Sequence, residues 1–296
     1  MFTFYTTSFS YAEYLFVEGS GNNRSKWTSF SSNEYLNLKN LLQKLAKSKV
    51  GKNLIFEANQ KAKRAGLRLY DVISKGNGSL TDTTLIRKFT TGAPGDITYV
   101  RKSRVYINKE LSQYDAILDL AHELTHYIYR KNFNPYELNF SLHEFIKNTI
   151  EGVGGEVQAF IMECRVHSEL FPKIKSSRYN CHQIFDHKTK SFSYHKAIKQ
   201  FYKVGNYFDS FNSLLHKHGI HHHFPDVKDE KATFISSAYG IPYPVAAFEE
   251  YISVLNKVCE NDKRRIGYFK SNGGRSPASL SNLESTYIKK CSKSFN

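Results

Sequence analysis

No run of about eighteen apolar residues occurs in this chain, which excludes a membrane-spanning helix. Cysteine is sparse. Cys164, Cys181, Cys259 and Cys291 never form a CxxC pair, which argues against a cysteine zinc site. Their even number permits two disulfides, a pattern that favours a location outside the reducing cytosol, although four free thiols are the ordinary alternative. The opening MFTFYTTSFSYAEYLF is broken by Thr, Ser and Glu and lacks a basic n-region, so no signal peptide is readable in it. Methionine is almost missing, at 2, and the apolar share is carried by 20 Tyr and 22 Phe, enough in 296 residues to bury a core rich in aromatics.

Acidic residues are also short in supply. The 27 Asp and Glu face 42 Lys and Arg, a net charge of +15 spread along the chain rather than gathered in a tail. That balance suits an acidic partner: nucleic acid, anionic lipid, a cell-wall polymer or an acidic protein substrate. A solvated lysine surface is the plain alternative. No recognisable nucleic-acid motif accompanies the charge, so nucleic acid has charge alone in its favour.

No internal repeat is visible. The spacing predicts a helix over 31–49, with Leu38, Leu41, Leu42 and Leu45 on one face, and a second helix ending at Gly66. LRLYDVIS reads as a strand closed by KGNGS, and ITYV and RVYIN read as two strands around a basic turn, RKSR. A helix is expected from about Tyr114 to Lys131, stopped by NFNP, and another from Ser141 to Leu170. Beyond Pro172 the pattern is mostly helical: SYHKAIKQFYKVGNYFDSFNSLL, VAAFEEYISVLNKVC and a short last helix near Leu283 to Cys291, preceded by a Gly/Ser-rich loop, KSNGGRSPASLSN. The expected organisation is an N-terminal helical region over 1–66, a core over 67–170 and a helical region over 171–296, integrated into one α+β domain.

Within the helix expected near Tyr114 the chain reads AHELTHYIYRK, with His122, Glu123 and His126 in an HExxH pattern. Positions four apart lie on one helix face, so both imidazoles can reach one ion, and Glu123 falls beside a water on that ion. With 12 histidines, an accidental HExxH has a probability of roughly a few per cent. Ile117, Leu120, Leu124 and Ile128 form an apolar face, and the histidines project to nearly the opposite side, so the bland alternative is a surface helix with a solvated polar face.

At these residues the chain resembles the zincin metallopeptidases over roughly Leu67 to Leu170. The histidine extension of the metzincin branch is absent, since YIYRKNFNPYE follows the motif. The resemblance is therefore to the gluzincin branch, and it implies a zincin-like fold: a small mixed sheet, an active-site helix, a glutamate helix and a mostly helical C-terminal half. It also implies bound Zn²⁺, a third ligand that is a glutamate from the second helix, and RVYIN as an edge strand that pairs with an extended substrate. Two glutamates of IEGVGGEVQAFIMEC compete for the third position. Glu151 fits Glu-Gly-x-small and Glu156 fits Glu-x-x-Ala. On a continuous helical wheel Glu156 borders the apolar stripe of Ile150, Val153, Val157, Phe160 and Ile161, with Gly152 and Ala159 aligned to it, which favours Glu156. Glu163, two turns on, stands where it could orient a ligand.

The implied activity is zinc-dependent hydrolysis of a peptide bond. His122, His126 and Glu156 would hold the metal and Glu123 would act as general base on its water. The substrate would be a peptide or protein, acidic or attached to a cell wall. For the oxyanion donor the sequence offers His167, Tyr179, His182, His187, Tyr207 and Tyr239 without choosing among them. HKHGIHHHFPD (216–226) could bind a second metal or act as a lid, but such runs are more often loops with adventitious metal affinity. The rival readings are a catalytically inactive zincin-fold protein that holds an acidic polymer on its basic surface, and a nucleic-acid binder.

Overall fold

Asn33 and Ser48 start the first two helices by the same device, a side-chain oxygen that accepts from a first-turn backbone amide, that of Tyr35 and Gly51 respectively. The computed structural model describes residues 25–90, 93–172, 180–236, 239–271 and 277–291, and in it these helices are α1 (Glu34–Leu45) and α2 (Lys49–Arg64). The four leucines of α1 are all buried, as their spacing requires.

LRLYDVIS is half helix rather than all strand. The Asp71 carboxylate accepts from the Arg68 backbone amide at 3.0 Å and pairs with the Arg68 guanidinium, which closes one helical turn, α3 (Leu69–Val72), before β1 (Ile73–Gly76) begins.

β2 (Leu80–Thr90) and β3 (Ala93–Asn108) form a long hairpin, and β1 runs parallel to the base of β3, so the sheet is mixed, in the order β1-β3-β2. Two expectations are corrected here. RKSR is not a turn: Leu85 pairs with Arg101 and Thr83 with Ser103, and the exposed Arg101, Lys102 and Arg104 lie along one unbroken strand whose outer stretch is open to water. RVYIN is not an edge either, since Val105 and Tyr106 pair with both neighbouring strands. Among the described residues the outer strands are β1 and β2, and the longer of the two is β2, LTDTTLIRKFT, a stretch whose sequence pattern does not by itself announce a strand. Its β-branched threonines and Ile86 are a partial local signal for that strand.

α4 (Gln113–Tyr129) begins at Ser112, whose hydroxyl accepts from the Asp115 amide at 3.2 Å. It is buried on every face from Ala116 to Tyr127. A surface helix would leave His122, Glu123 and His126 in water; instead α1, α2, β2 and β3 pack around α4.

The helix expected from Ser141 to Leu170 is two helices, α5 (Leu142–Ile150) and α6 (Glu156–Leu170), and α6 packs on α4. The break is the EGVGG turn, where Gly154 has φ +74° and a Cβ would lie 2.1 Å from the Arg130 nitrogen. No other residue fits there without moving the backbone.

The C-terminal half is mostly helical, as expected: α7 (Cys181–Ile184), a two-strand pair β4 (Phe185–Asp186) and β5 (Ser191–Phe192), α8 (Tyr194–Phe201), α9 (Phe208–Lys217), a second pair β6 (Ile235–Ser236) and β7 (Ile241–Pro242), then α10 (Tyr243–Ser271) and α11 (Pro277–Cys291). The expected helix over 193–215 is split at Gly205, which has φ +55°. The Gly/Ser-rich loop is helical from Pro277 onward, so the last helix is longer than its apolar pattern suggests. Disulfides join Cys164 to Cys181, tying α6 to α7, and Cys259 to Cys291, tying α10 to α11. No helix among the described residues is long and apolar enough to cross a membrane.

Candidate metal centre

α4 places His122 and His126 one turn apart, and the first turn of α6 brings Glu156 to them. One ligand atom from each lies within 4.8 Å of the others, and all three side chains are buried. The Glu156 Oε2 is 3.3 Å from His122 Nε2 and 3.5 Å from His126 Nε2. Glu151, the competing glutamate, ends α5 and points elsewhere, where its carboxylate accepts from the Tyr202 hydroxyl at 2.7 Å.

The far side of each imidazole is engaged. His126 Nδ1–H donates to the Gly154 carbonyl at 2.8 Å, and His122 Nδ1–H donates to Glu163 at 3.3 Å. Those acceptors engage Nδ1 and leave each Nε2 facing the Glu156 carboxylate, where a shared proton or a metal ion would sit. A lone pair facing a carboxylate is repulsive unless a cation, proton or metal, is shared between them. His126 Nε2 is buried without a hydrogen-bond partner. Two nitrogens and one carboxylate oxygen form a donor set for a divalent metal of zinc's kind, so the residues present fit the group that the resemblance implies.

The charge balance leads to the same place. Asp119, Glu123, Glu156 and Glu163 are all buried around the two imidazoles. Burial pushes the Asp119 carboxyl well above its ordinary value, with Glu163 and Glu123 adding to the effect against a hydrogen bond from Ser79. Burial also raises Glu123, against His126, His122 and Thr81. For Glu156 burial pulls upward too, but His126 and His122 outweigh it and hold the group well below the usual carboxylate range. Burial would lower His122, yet Glu156 and Glu163 outweigh it and hold the ring well above its ordinary value. So many buried acids need a compensating cation.

Glu123, adjacent to the first histidine, is fixed from the sheet edge. Thr81 Oγ1 on β2 lies 2.8 Å from Glu123 Oε2 and 2.9 Å from the Glu123 carbonyl oxygen. Arg130, at the end of α4, donates to Glu156 Oε1 at 3.3 Å. Tyr243, at the start of α10, is buried, and its phenol is raised well above the ordinary value by burial and then by Glu156, Glu123 and Glu163. Neither Thr81, Arg130 nor Tyr243 stands out in the sequence, because each reaches the site through packing rather than through the motif.

Of the expected oxyanion donors, His167 is buried against Tyr114 and Phe171, His182 and His187 are exposed on and after α7, and Tyr207 is exposed before α9. Tyr239 is exposed, with a phenol pushed up to about 12 by partial burial and by Glu250 and Glu249. Tyr179 lies outside the described residues. Within HKHGIHHHFPD His216 stacks on His221 at 3.9 Å, and His223 stacks on His143 of α5 at 4.2 Å, but these histidines form no three-ligand metal cluster among the described residues.

A His122/His126/Glu156 triad with HExxH spacing matches the active site of a gluzincin-type zinc metallopeptidase, and it stands here in a mixed α+β fold with the small sheet beside it. A buried triad of this type marks an enzyme rather than an inert fold. In comparisons with known proteins the chain matches no family model, no curated protein and no solved structure.

Proposed function

We propose that the protein is a peptidase that holds Zn²⁺ on His122, His126 and Glu156 and uses Glu123 as its general base. The observation that carries this reading is the pair of buried Nε2 atoms converging on one buried carboxylate, with Glu123 hydrogen-bonded to Thr81 beside them. When bound, zinc supplies a Lewis acid that acidifies water and polarises a carbonyl. Glu123 takes a proton from the attacking water and passes it to the leaving nitrogen. Tyr243 is the proposed donor to the developing oxyanion, and the open edge of β2 is the proposed partner for an extended substrate backbone. The substrate is a peptide or protein. The two disulfides suit an oxidising compartment.

The test is metal content beside turnover. Purified wild type should carry stoichiometric zinc and lose it in His122→Ala and Glu156→Ala. Glu123→Gln should keep the zinc and lose activity by about 10²–10⁴-fold. Tyr243→Phe should lower kcat by roughly 10²-fold or more. Full turnover in Glu123→Gln would refute the assignment. An inactive binding protein is the weaker alternative, because the base is intact.

A further inference from the structure

A cavity of about 90 Å³ opens beside His126. Its charged lining is one-sided: Lys61, Arg101, Arg130 and Lys131 against a single carboxyl, Glu250. These cations differ in what they can still bind. Lys61 is spent on the carbonyls of Tyr127 and Ile128 at the end of α4. Arg130 uses one nitrogen on Glu156, and its buried Nε has no hydrogen-bond partner. Arg101 and Lys131 stand exposed, one on β3 and one after α4, and Arg101 makes a 3.4 Å contact to the Phe133 carbonyl. Burial, with a push from Glu156, raises Glu250 to about 7 against Arg130, so the one carboxyl is only partly charged at neutral pH. Phe133 and Phe140 supply apolar wall beside the cations.

We propose that this pocket takes an acidic side chain, Asp or Glu, of the substrate peptide next to the bond that is cut. The proposal rests on the peptidase reading. The partly exposed Arg130 guanidinium and the Arg101 and Lys131 side chains provide complementary charge, and the phenylalanines cover the methylene stem. Position supports this role: His126 is both a member of the triad and part of the pocket wall, so a side chain seated there belongs to a residue close to the reacting carbonyl. The net charge of the whole chain then has a local use, steering acidic chains toward the cleft.

The experiment compares zinc-loaded wild type with Arg101→Glu/Lys131→Glu and with the conservative Arg101→Lys. The probes are one peptide series in which each position flanking the cut is Asp, Ala or Lys in turn. Wild type should prefer Asp over Lys at one adjacent position by roughly tenfold or more in kcat/KM. The charge reversal should collapse or invert that ratio, and Arg101→Lys should preserve it. Cleavage with no charge preference, or a preference that survives the reversal, overturns the proposal and leaves the peptidase reading standing. A second readout separates the two ideas: binding of the Asp peptide to zinc-loaded Glu123→Gln by fluorescence anisotropy. Binding that the reversal abolishes, with no cleavage by wild type, supports the pocket and refutes the peptidase. Absence of both cleavage and charge-dependent binding refutes both.

Discussion

Gly154 holds two parts of the site together. Its carbonyl anchors His126, and its missing side chain lets the turn before α6 lie against the end of α4. Gly154→Ala would place a methyl against backbone in a left-handed conformation, so we expect a loss of more than about 1 kcal/mol in chemical denaturation, together with weaker zinc binding. Glu163→Gln removes a charged acceptor from His122, and metal affinity measured by chelator competition should fall by about 10–100-fold. Thr81→Val tests the base. The Thr81 hydrogen bond holds Glu123 down, so without it the group titrates higher. Because the base must be ionised, the acid limb of kcat/KM should move to higher pH.

Glu250 gives a pH dependence of stability whose sign is fixed. Its folded-state value is about 7 against 4.5 unfolded, so the folded protein binds the extra proton between those values. That contribution is present below 4.5 and is lost as pH rises toward 7. Glu250→Gln should therefore flatten thermal stability across that window and raise Tm at pH 8. A steeper dependence in the variant would contradict the assignment.

Among the elements, β2 and α10 are clamped by a buried ion pair, Arg87 to Asp262 at 2.7 Å, with the guanidinium 3.8 Å from the centroid of the Tyr136 ring. Removing one partner leaves the other charge buried, so Arg87→Met should cost roughly 3–5 kcal/mol, while replacing both by apolar residues should recover much of it. The Cys164–Cys181 disulfide is set in α6 one residue past Glu163 and closes a separation of 17 residues. Its loss in the Cys164→Ser/Cys181→Ser variant should cost about 3 kcal/mol by chain entropy. Element pairing also sets what local pattern cannot. A strand pattern shows which residues alternate, but whether RVYIN lies inside a sheet or at its edge depends on partners far away in the chain. In LTDTTLIRKFT the charged and hydroxyl residues resemble a loop, and only the pairing with β3 makes the stretch a strand.

Across the molecule, one buried cluster runs from Trp27 through α4 and α6 to Leu255. We propose that the stretches 1–66, 67–170 and 171–296 fold as one unit, which a single denaturation transition, coincident by fluorescence and circular dichroism, would support.

The HExxH constellation was determined by local sequence, because a helix places residues four apart on one face whatever surrounds it. So was the dominance of helix in the C-terminal half, where apolar spacing suffices. The third ligand was not so determined. A continuous helix and a helix broken at GVGG are both compatible with the spacing, and the close approach at Arg130 decides between them. It ends α5 at Glu151 and starts α6 with Glu156 turned toward the histidines. Tertiary structure likewise decided the edge strand, the burial of α4 on all faces and the arrival of Thr81, Arg130 and Tyr243. Each of these depends on contacts between segments distant in the chain, which local periodicity does not encode.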